Sequence, residues 1–108
     1  MPHVDVALAT IPLNSPFRVE HDGVAIVVVR TESQVSSFAD VCPHAYWPLS
    51  EGTFRNGVLE CPGHGWEFDA ENGRCLNAPT YALTPITSEI IGDFLRLQWE
   101  TNAPAART

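Results

Sequence analysis

The chain has 108 residues, of which 44% are hydrophobic, and this is enough for one domain with a single apolar core. Its formal net charge is -7, from 13 acidic residues against 6 lysines and arginines, and all six of these cations are arginines. A surface so poor in cations argues against binding to nucleic acid or to anionic membranes, because both attract positive charge.

The first 60 residues predict a buried strand and a hairpin. Residues 24–29 form a β-branched run after His21-Asp22-Gly23, and this run predicts a buried strand. Asn56-Gly57 lies between two short segments, 53–55 and 58–60. Because Asn and Gly accept the positive φ angles of a type I′ turn, these two segments predict a β-hairpin.

The C-terminal region predicts another turn and strand. Gly92-Asp93 predicts a turn that leads into residues 94–99. Within that segment Leu95, Leu97 and Trp99 share one face, and this period of two is typical of a half-buried strand.

These patterns together predict a single all-β domain over residues 1–108, a sandwich or small barrel of short antiparallel strands. Nine prolines spread along the chain disfavour long helices, and residues 101–108 form a small, polar tail that we expect to fray. The first 13 residues lack the features of a secretory signal, and no segment approaches the roughly 20 apolar residues of a membrane span. We therefore expect a cytoplasmic location and no membrane anchor.

Two short segments carry thiol and imidazole groups, Cys42-Pro43-His44 and Cys61-Pro62-Gly63-His64. Sixteen residues separate the two segments, and the hairpin predicted at residues 53–60 lies among them. That hairpin turns the chain back, so we expect the segments to become neighbouring loops. Prolines stiffen both loops, and glycine lets the backbone approach a bound group closely.

Cys42, His44, Cys61 and His64 are therefore candidate metal ligands. In a chain of this kind, metal binding explains the cysteines better than disulfides do. Two thiolates and two imidazoles suit zinc, but structural zinc sites usually group like ligands in Cys-x2–4-Cys and His-x3–5-His pairs. Here each loop mixes the two types, which favours a two-iron centre with both cysteines on one iron. A zinc-binding interaction module and loops without metal remain the alternatives.

The full pattern is Cys-x-His, sixteen residues, then Cys-x2-His-Gly-Trp-x-Phe-Asp, and it resembles the Rieske iron–sulfur family. The resemblance extends from about residue 4 to residue 99. It implies a Rieske fold, which is an antiparallel β-sandwich or barrel with a small cluster-binding subdomain, and one Rieske-type 2Fe–2S cluster. It also implies that Cys42 and Cys61 hold the inner iron and that His44 and His64 hold the outer iron.

The resemblance further implies ligand loops at about residues 42–47 and 61–66, and a covering loop at Asn77-Ala78-Pro79. The high-potential Rieske proteins of respiratory complexes carry one extra cysteine in each ligand loop, joined as a disulfide. Trp47 and Gly63 stand at those positions here. This departure favours the soluble ferredoxin branch and predicts a reduction potential near the low end of the Rieske range, about −150 mV.

The same resemblance implies an electron carrier that has no catalytic residues of its own. Such ferredoxins carry single electrons from a flavin-dependent reductase to the terminal component of a multicomponent oxygenase. That component is a ring-hydroxylating dioxygenase or a di-iron monooxygenase, in aromatic or hydrocarbon catabolism. We expect a monomer that forms transient complexes, steered by acidic residues between Glu51 and Glu71. The alternative is a small Rieske subunit of another redox enzyme, such as an assimilatory nitrite reductase.

Overall fold

The strands of the described residues all pair in antiparallel sheets, and the only helical segments among these residues are two short turns of 3-10 helix. The computed structural model describes residues 2–43, 46–63, 65–78 and 80–100. The strands in these residues are β1 (His3–Ala7), β2 (Phe17–His21), β3 (Val24–Arg30), β4 (Val35–Ala39), β5 (Thr53–Arg55), β6 (Val58–Glu60), β7 (Glu67–Asp69), β8 (Thr87–Ile91) and β9 (Phe94–Gln98). Single turns of 3-10 helix cover Leu8–Thr10 and Leu49–Glu51. The predicted all-β class is confirmed.

The strands form three sheets of three, in the orders β1-β9-β8, β2-β3-β4 and β5-β6-β7. The middle strand β3 packs on both of its faces, because Ile26 and Val28 join one apolar cluster and Val27 and Val29 join another. This two-sided burial explains why the sequence of β3 is a continuous apolar run instead of an alternating one.

The first of these apolar clusters lies between the β2-β3-β4 sheet and the β1-β9-β8 sheet, and together they form the sandwich. Leu95, Leu97 and Trp99 are buried there, on the face that their spacing predicted. The second cluster lies under the β5-β6-β7 sheet, where Phe54, Leu59 and Phe68 point inward. The small third sheet is thus the platform of a separate subdomain that shares β3 with the sandwich.

The local turn chemistry agrees with the sequence. Asn56 and Gly57 have φ angles of 52° and 77°, as a type I′ turn requires, and they join β5 to β6. Gly92 has a φ of 59° in the turn between β8 and β9. The frayed tail predicted at residues 101–108 lies outside the described residues. None of the described residues belongs to a helix long and apolar enough to cross a membrane.

Candidate metal centre

The first predicted ligand loop follows β4 and is closed by its own backbone. The N–H of Cys42 donates to the carbonyl oxygen of Trp47 (2.8 Å), and the N–H of Tyr46 donates to the carbonyl oxygen of Cys42 (2.8 Å). Tyr46 has a φ of 60°, in the left-handed region, and this conformation turns the chain back on itself. The loop is therefore a tight knuckle with Cys42 at its base.

The second predicted ligand loop follows β6 and repeats this scheme at the same spacing. The N–H of Cys61 donates to the carbonyl oxygen of Trp66 (2.8 Å), and the N–H of Gly65 donates to the carbonyl oxygen of Cys61 (3.2 Å). Gly65, with a φ of 74°, takes the place that Tyr46 has in the first loop. The two loops are structural equivalents, each with a cysteine at its base.

Both cysteine thiols lie in the interior. Cys42 is fully buried, Cys61 is 1% exposed, neither is in a disulfide, and both belong to the cluster under the β5-β6-β7 sheet. Two buried thiols outside any disulfide, at the bases of equivalent loops, have the chemistry that the inner iron of a Rieske cluster requires, so these residues fit the group.

The two predicted imidazole ligands, His44 and His64, lie outside the described residues. The described residues by themselves bring together no group of three or more His, Cys, Asp or Glu side chains that would hold a metal ion, and only two of the four predicted ligands are among them. The assignment of the four ligands therefore stays a prediction.

Asp40 joins the two ends of the first loop, and it was not among the residues predicted from the sequence. Its fully buried carboxylate accepts hydrogen bonds from the backbone N–H of Ser50 (2.8 Å) and from the Ser50 hydroxyl. It also accepts one from Arg18, which is paired with Glu20 as well. A lone carboxylate in the apolar run 38–42 was the only sequence signal for this role.

The guanidinium that faces Asp40 remains charged. Burial acts to lower the pKa of Arg18, but its hydrogen bonds with Glu20 and Asp40 outweigh this effect and raise the pKa overall. The buried carboxylate therefore faces a permanent positive charge.

The predicted covering loop is tied to β7 and to the third cysteine. The side-chain oxygen of Asn77 accepts the backbone N–H of Glu67 (2.7 Å). The N–H of Ala78 donates to the Sγ of Cys75 (3.4 Å), and Cys75 belongs to the same buried cluster as the two loop cysteines. Pro79, the last residue of that predicted loop, lies outside the described residues.

The aromatic residues of the loops differ in exposure. Trp66 is partly buried, packs on the cluster under the β5-β6-β7 sheet and makes an edge-to-face contact with Tyr81, with the ring centroids 5.3 Å apart. Trp47 is 49% exposed and Tyr46 is 81% exposed. Only Trp66 is therefore positioned as an interior shield, and the aromatic residues of the first loop lie at the surface.

The family model of the Rieske 2Fe-2S domain matches residues 2–88 of this fold. The chain belongs to the Rieske 2Fe-2S domain family. It therefore binds one Rieske 2Fe–2S cluster, and this excludes the zinc alternative. A Rieske domain of the ferredoxin type carries electrons, and it is not itself a catalytic domain.

Several curated relatives contain this domain. The chain is 49% identical over 50 residues to the oxygenase component of dicamba O-demethylase from Stenotrophomonas maltophilia. The aligned segment covers 46% of this chain but 14% of that protein. It is 30% identical over 74 residues to the ferredoxin component of the alkene monooxygenase system of Xanthobacter autotrophicus, covering 68% and 58% of the two chains. It is 29% identical over 70 residues to the biphenyl dioxygenase ferredoxin subunit of a Pseudomonas species, covering 64% of each. The chain thus spans less than two thirds of the length of these relatives.

Solved structures share the fold over nearly the whole chain. A chain in the complex of reduced oxygenase and oxidized ferredoxin of carbazole 1,9a-dioxygenase is 28% identical, with a TM-score of 0.80 and coverage of 88% of this chain and 91% of that one. The carbazole 1,9a-dioxygenase ferredoxin of Nocardioides aromaticivorans has a TM-score of 0.78 at 23% identity, with coverage of 85% of this chain and 91% of that one. A putative nitrite reductase small subunit has a TM-score of 0.76 at 19% identity, with coverage of 92% of this chain and 100% of that one. The predicted Rieske fold is confirmed.

Proposed function

We propose that the chain is a ferredoxin that carries single electrons from a flavin-dependent reductase to the terminal component of a multicomponent oxygenase. One observation supports this above the others: two buried thiols lie at the bases of two equivalent loops whose outer residues, among them Tyr46 and Gly63, are exposed. A cluster held between these loops would lie beside these exposed residues, where it could exchange electrons with a docked partner.

Within this proposal, Cys42 and Cys61 would hold the inner iron, and His44 and His64 would hold the outer iron. The bound cluster supplies reversible one-electron chemistry, and two imidazoles in place of two thiolates raise its potential above that of an all-cysteine cluster. The chain itself fixes the loops by their internal hydrogen bonds, ties the first loop at Asp40 and anchors the predicted covering loop to β7 through Asn77.

A ligand-replacement series tests the site. The protein is produced with iron and sulfide, reduced with dithionite and measured by electron paramagnetic resonance. We expect a Rieske spectrum in the wild type and its loss in Cys42→Ser, Cys61→Ser, His44→Ala and His64→Ala. Cys75→Ala is the matched control, because Cys75 is an equally buried thiol outside both loops, and it should keep the spectrum. A Rieske spectrum that survives any of the four ligand changes would contradict the assignment.

The face formed by β6 and β7 is acidic. Glu60 and Glu67 lie directly opposite each other on the two strands, and no ion pair between described residues includes either one. Like charges in facing positions destabilise a sheet, so this pair has a cost for folding. The pair and the net charge of -7 support docking onto a basic partner surface. Within this proposal the protein is a monomer that forms transient complexes in the cytoplasm.

Turnover with partners tests the carrier role. The reduced protein is offered to a ring-hydroxylating dioxygenase and to a di-iron monooxygenase, each with a flavin reductase, and product is measured at low and high salt. We expect turnover with one class and a fall in rate with salt, and Glu67→Gln should weaken that salt dependence. Glu89→Gln is the matched control, because Glu89 lies on β8, in the β1-β9-β8 sheet of the sandwich. Equal rates at all salt concentrations would rule out steering.

The nitrite reductase small-subunit fold keeps a second candidate open. The match between this chain and the solved structure of such a subunit extends over 100% of that subunit's length, although at only 19% identity. A stable complex of fixed stoichiometry with a large redox enzyme after purification would favour this candidate, whereas a free monomer that supports an oxygenase would favour the carrier.

A further inference from the structure

The two ligand loops touch through Trp47 and Gly63. A β-carbon at Gly63 would lie 2.5 Å from Cδ1, 2.5 Å from Nε1 and 2.8 Å from Cε2 of the Trp47 indole. Carbon atoms pack at about 3.5–4.0 Å, so no side chain fits between them. The indole of the first loop therefore lies directly against the backbone of the second loop.

Gly63 meets a need for space, not for an unusual backbone angle. Gly65, two residues further on, has a φ of 74° and lies in the region that favours glycine. Gly63 does not have a positive φ, and the three atoms nearest to its missing β-carbon all belong to Trp47. A larger residue at position 63 would thus collide first with Trp47.

Trp47 contacts both loops with different parts of the residue. Its carbonyl oxygen accepts the N–H of Cys42 and closes the first loop, while its indole packs on the residue that precedes His64 in the second loop. The hydrogen bonds that close each loop lie within that loop, so they do not fix the distance between the two. The Trp47–Gly63 contact does join them.

We propose that Trp47 and Gly63 form a non-covalent clasp that holds the two ligand loops together and slows release of the cluster. Trp47 is then a positioning residue, which acts on the ligands through the loops without binding iron. The clasp rests on the proposed placement of the cluster between these loops. Trp47 is half-exposed, and this exposure alone would not indicate a role in holding the loops together.

A double-mutant cycle tests the clasp. Trp47→Ala, Gly63→Ala and the double variant are compared with the wild type by the rate at which visible absorbance bleaches in a chelator. We expect each single change to speed bleaching about tenfold, a size typical of coupled neighbours. The double variant should lose its cluster no faster than Trp47→Ala, because the indole that the added methyl group strikes is gone. Val28→Ala, in the sandwich core, controls for general loss of stability and should bleach at the wild-type rate.

The reduction potential and the electron paramagnetic resonance spectrum of the loaded variants provide a second measurement. Both should shift in Trp47→Ala and Gly63→Ala and stay unchanged in Val28→Ala. Wild-type bleaching rates in both single variants, or strictly additive rates in the double variant, would overturn the clasp. A wild-type protein without a Rieske spectrum would instead overturn the proposed site, so the two failures are distinguishable.

Discussion

Replacing Asp40 by alanine removes the carboxylate that holds the two ends of the first ligand loop together. The side chain is fully buried and accepts two hydrogen bonds from Ser50 and one from Arg18. Asp40 precedes Cys42 by two residues, and Ser50 lies just beyond the loop, in the turn Leu49–Glu51. The substitution therefore acts on the base of the loop without touching a predicted ligand.

The expected loss follows from the groups left behind. The backbone N–H of Ser50 loses its acceptor in a partly buried place, which costs about 1–3 kcal/mol, with the lower end applying where water can reach the group. Breaking a buried ion pair costs about 3–5 kcal/mol when the remaining charge is fully enclosed. The Arg18 side chain is 29% exposed and keeps Glu20 as a partner, so water and Glu20 reduce that term. We expect Asp40→Ala to lower the free energy of unfolding by about 3 kcal/mol.

Urea denaturation of the cluster-loaded protein measures this loss, and a fall in the thermal midpoint of about 10–20 °C should accompany it. Asp5→Ala is the control, because Asp5 also accepts from an arginine, at 2.8 and 3.0 Å from Arg96, but on an exposed face of the sandwich. Its effect should be much smaller, since exposed ion pairs add little. Equal losses in the two variants would refute the argument from burial.

Three further changes have definite expected outcomes. Asn77→Ala removes the acceptor of the Glu67 N–H and should speed cluster bleaching in a chelator; an unchanged rate would mean that this bond does not hold the covering loop. Glu60→Gln should raise the urea midpoint at low salt, because it relieves repulsion from Glu67, and the gain should vanish at high salt. Asp5→Asn should lower stability near neutral pH. The hydrogen bond from Arg96 holds the pKa of Asp5 below its ordinary 3.8, so this stabilisation is present above that value and is lost as the pH falls through the lower folded-state pKa. Unfolding curves of the two proteins that stay apart in strong acid would contradict this linkage.

The features that the sequence predicted correctly are those in which a few neighbouring residues decide the structure. The Asn56-Gly57 turn needs two positive φ angles, and few other residue pairs accept them. The face shared by Leu95 and Leu97 follows from the alternation of side chains along any strand. The spacing of cysteine and histidine in each loop is equally local, and this is why the family could be predicted without the fold.

Contacts between distant residues left no comparable pattern. Strands β1, β2 and β4 were not predicted, because their segments are half polar and acquire their strand form by pairing with β9 and β3. Asp40 and Arg18 are 22 residues apart, and only the fold brings them together. Trp47 and Gly63 occupy positions that are cysteines in the high-potential Rieske proteins, and this could be seen from the sequence. Their contact with each other could not, because it depends on how the two loops meet.

The structural equivalence of the two loops could not be predicted from the sequence, and Tyr46 is the reason. The second loop uses Gly65 at its left-handed position, where glycine has no steric cost, whereas the first loop uses a tyrosine at a φ of 60°. A non-glycine residue in this conformation costs about 1–2 kcal/mol, and a side chain that is 81% exposed recovers little of it by packing. Strain of this kind persists mainly where a site requires it. The left-handed conformation of Tyr46 therefore serves the shape of the loop and not the packing of its side chain.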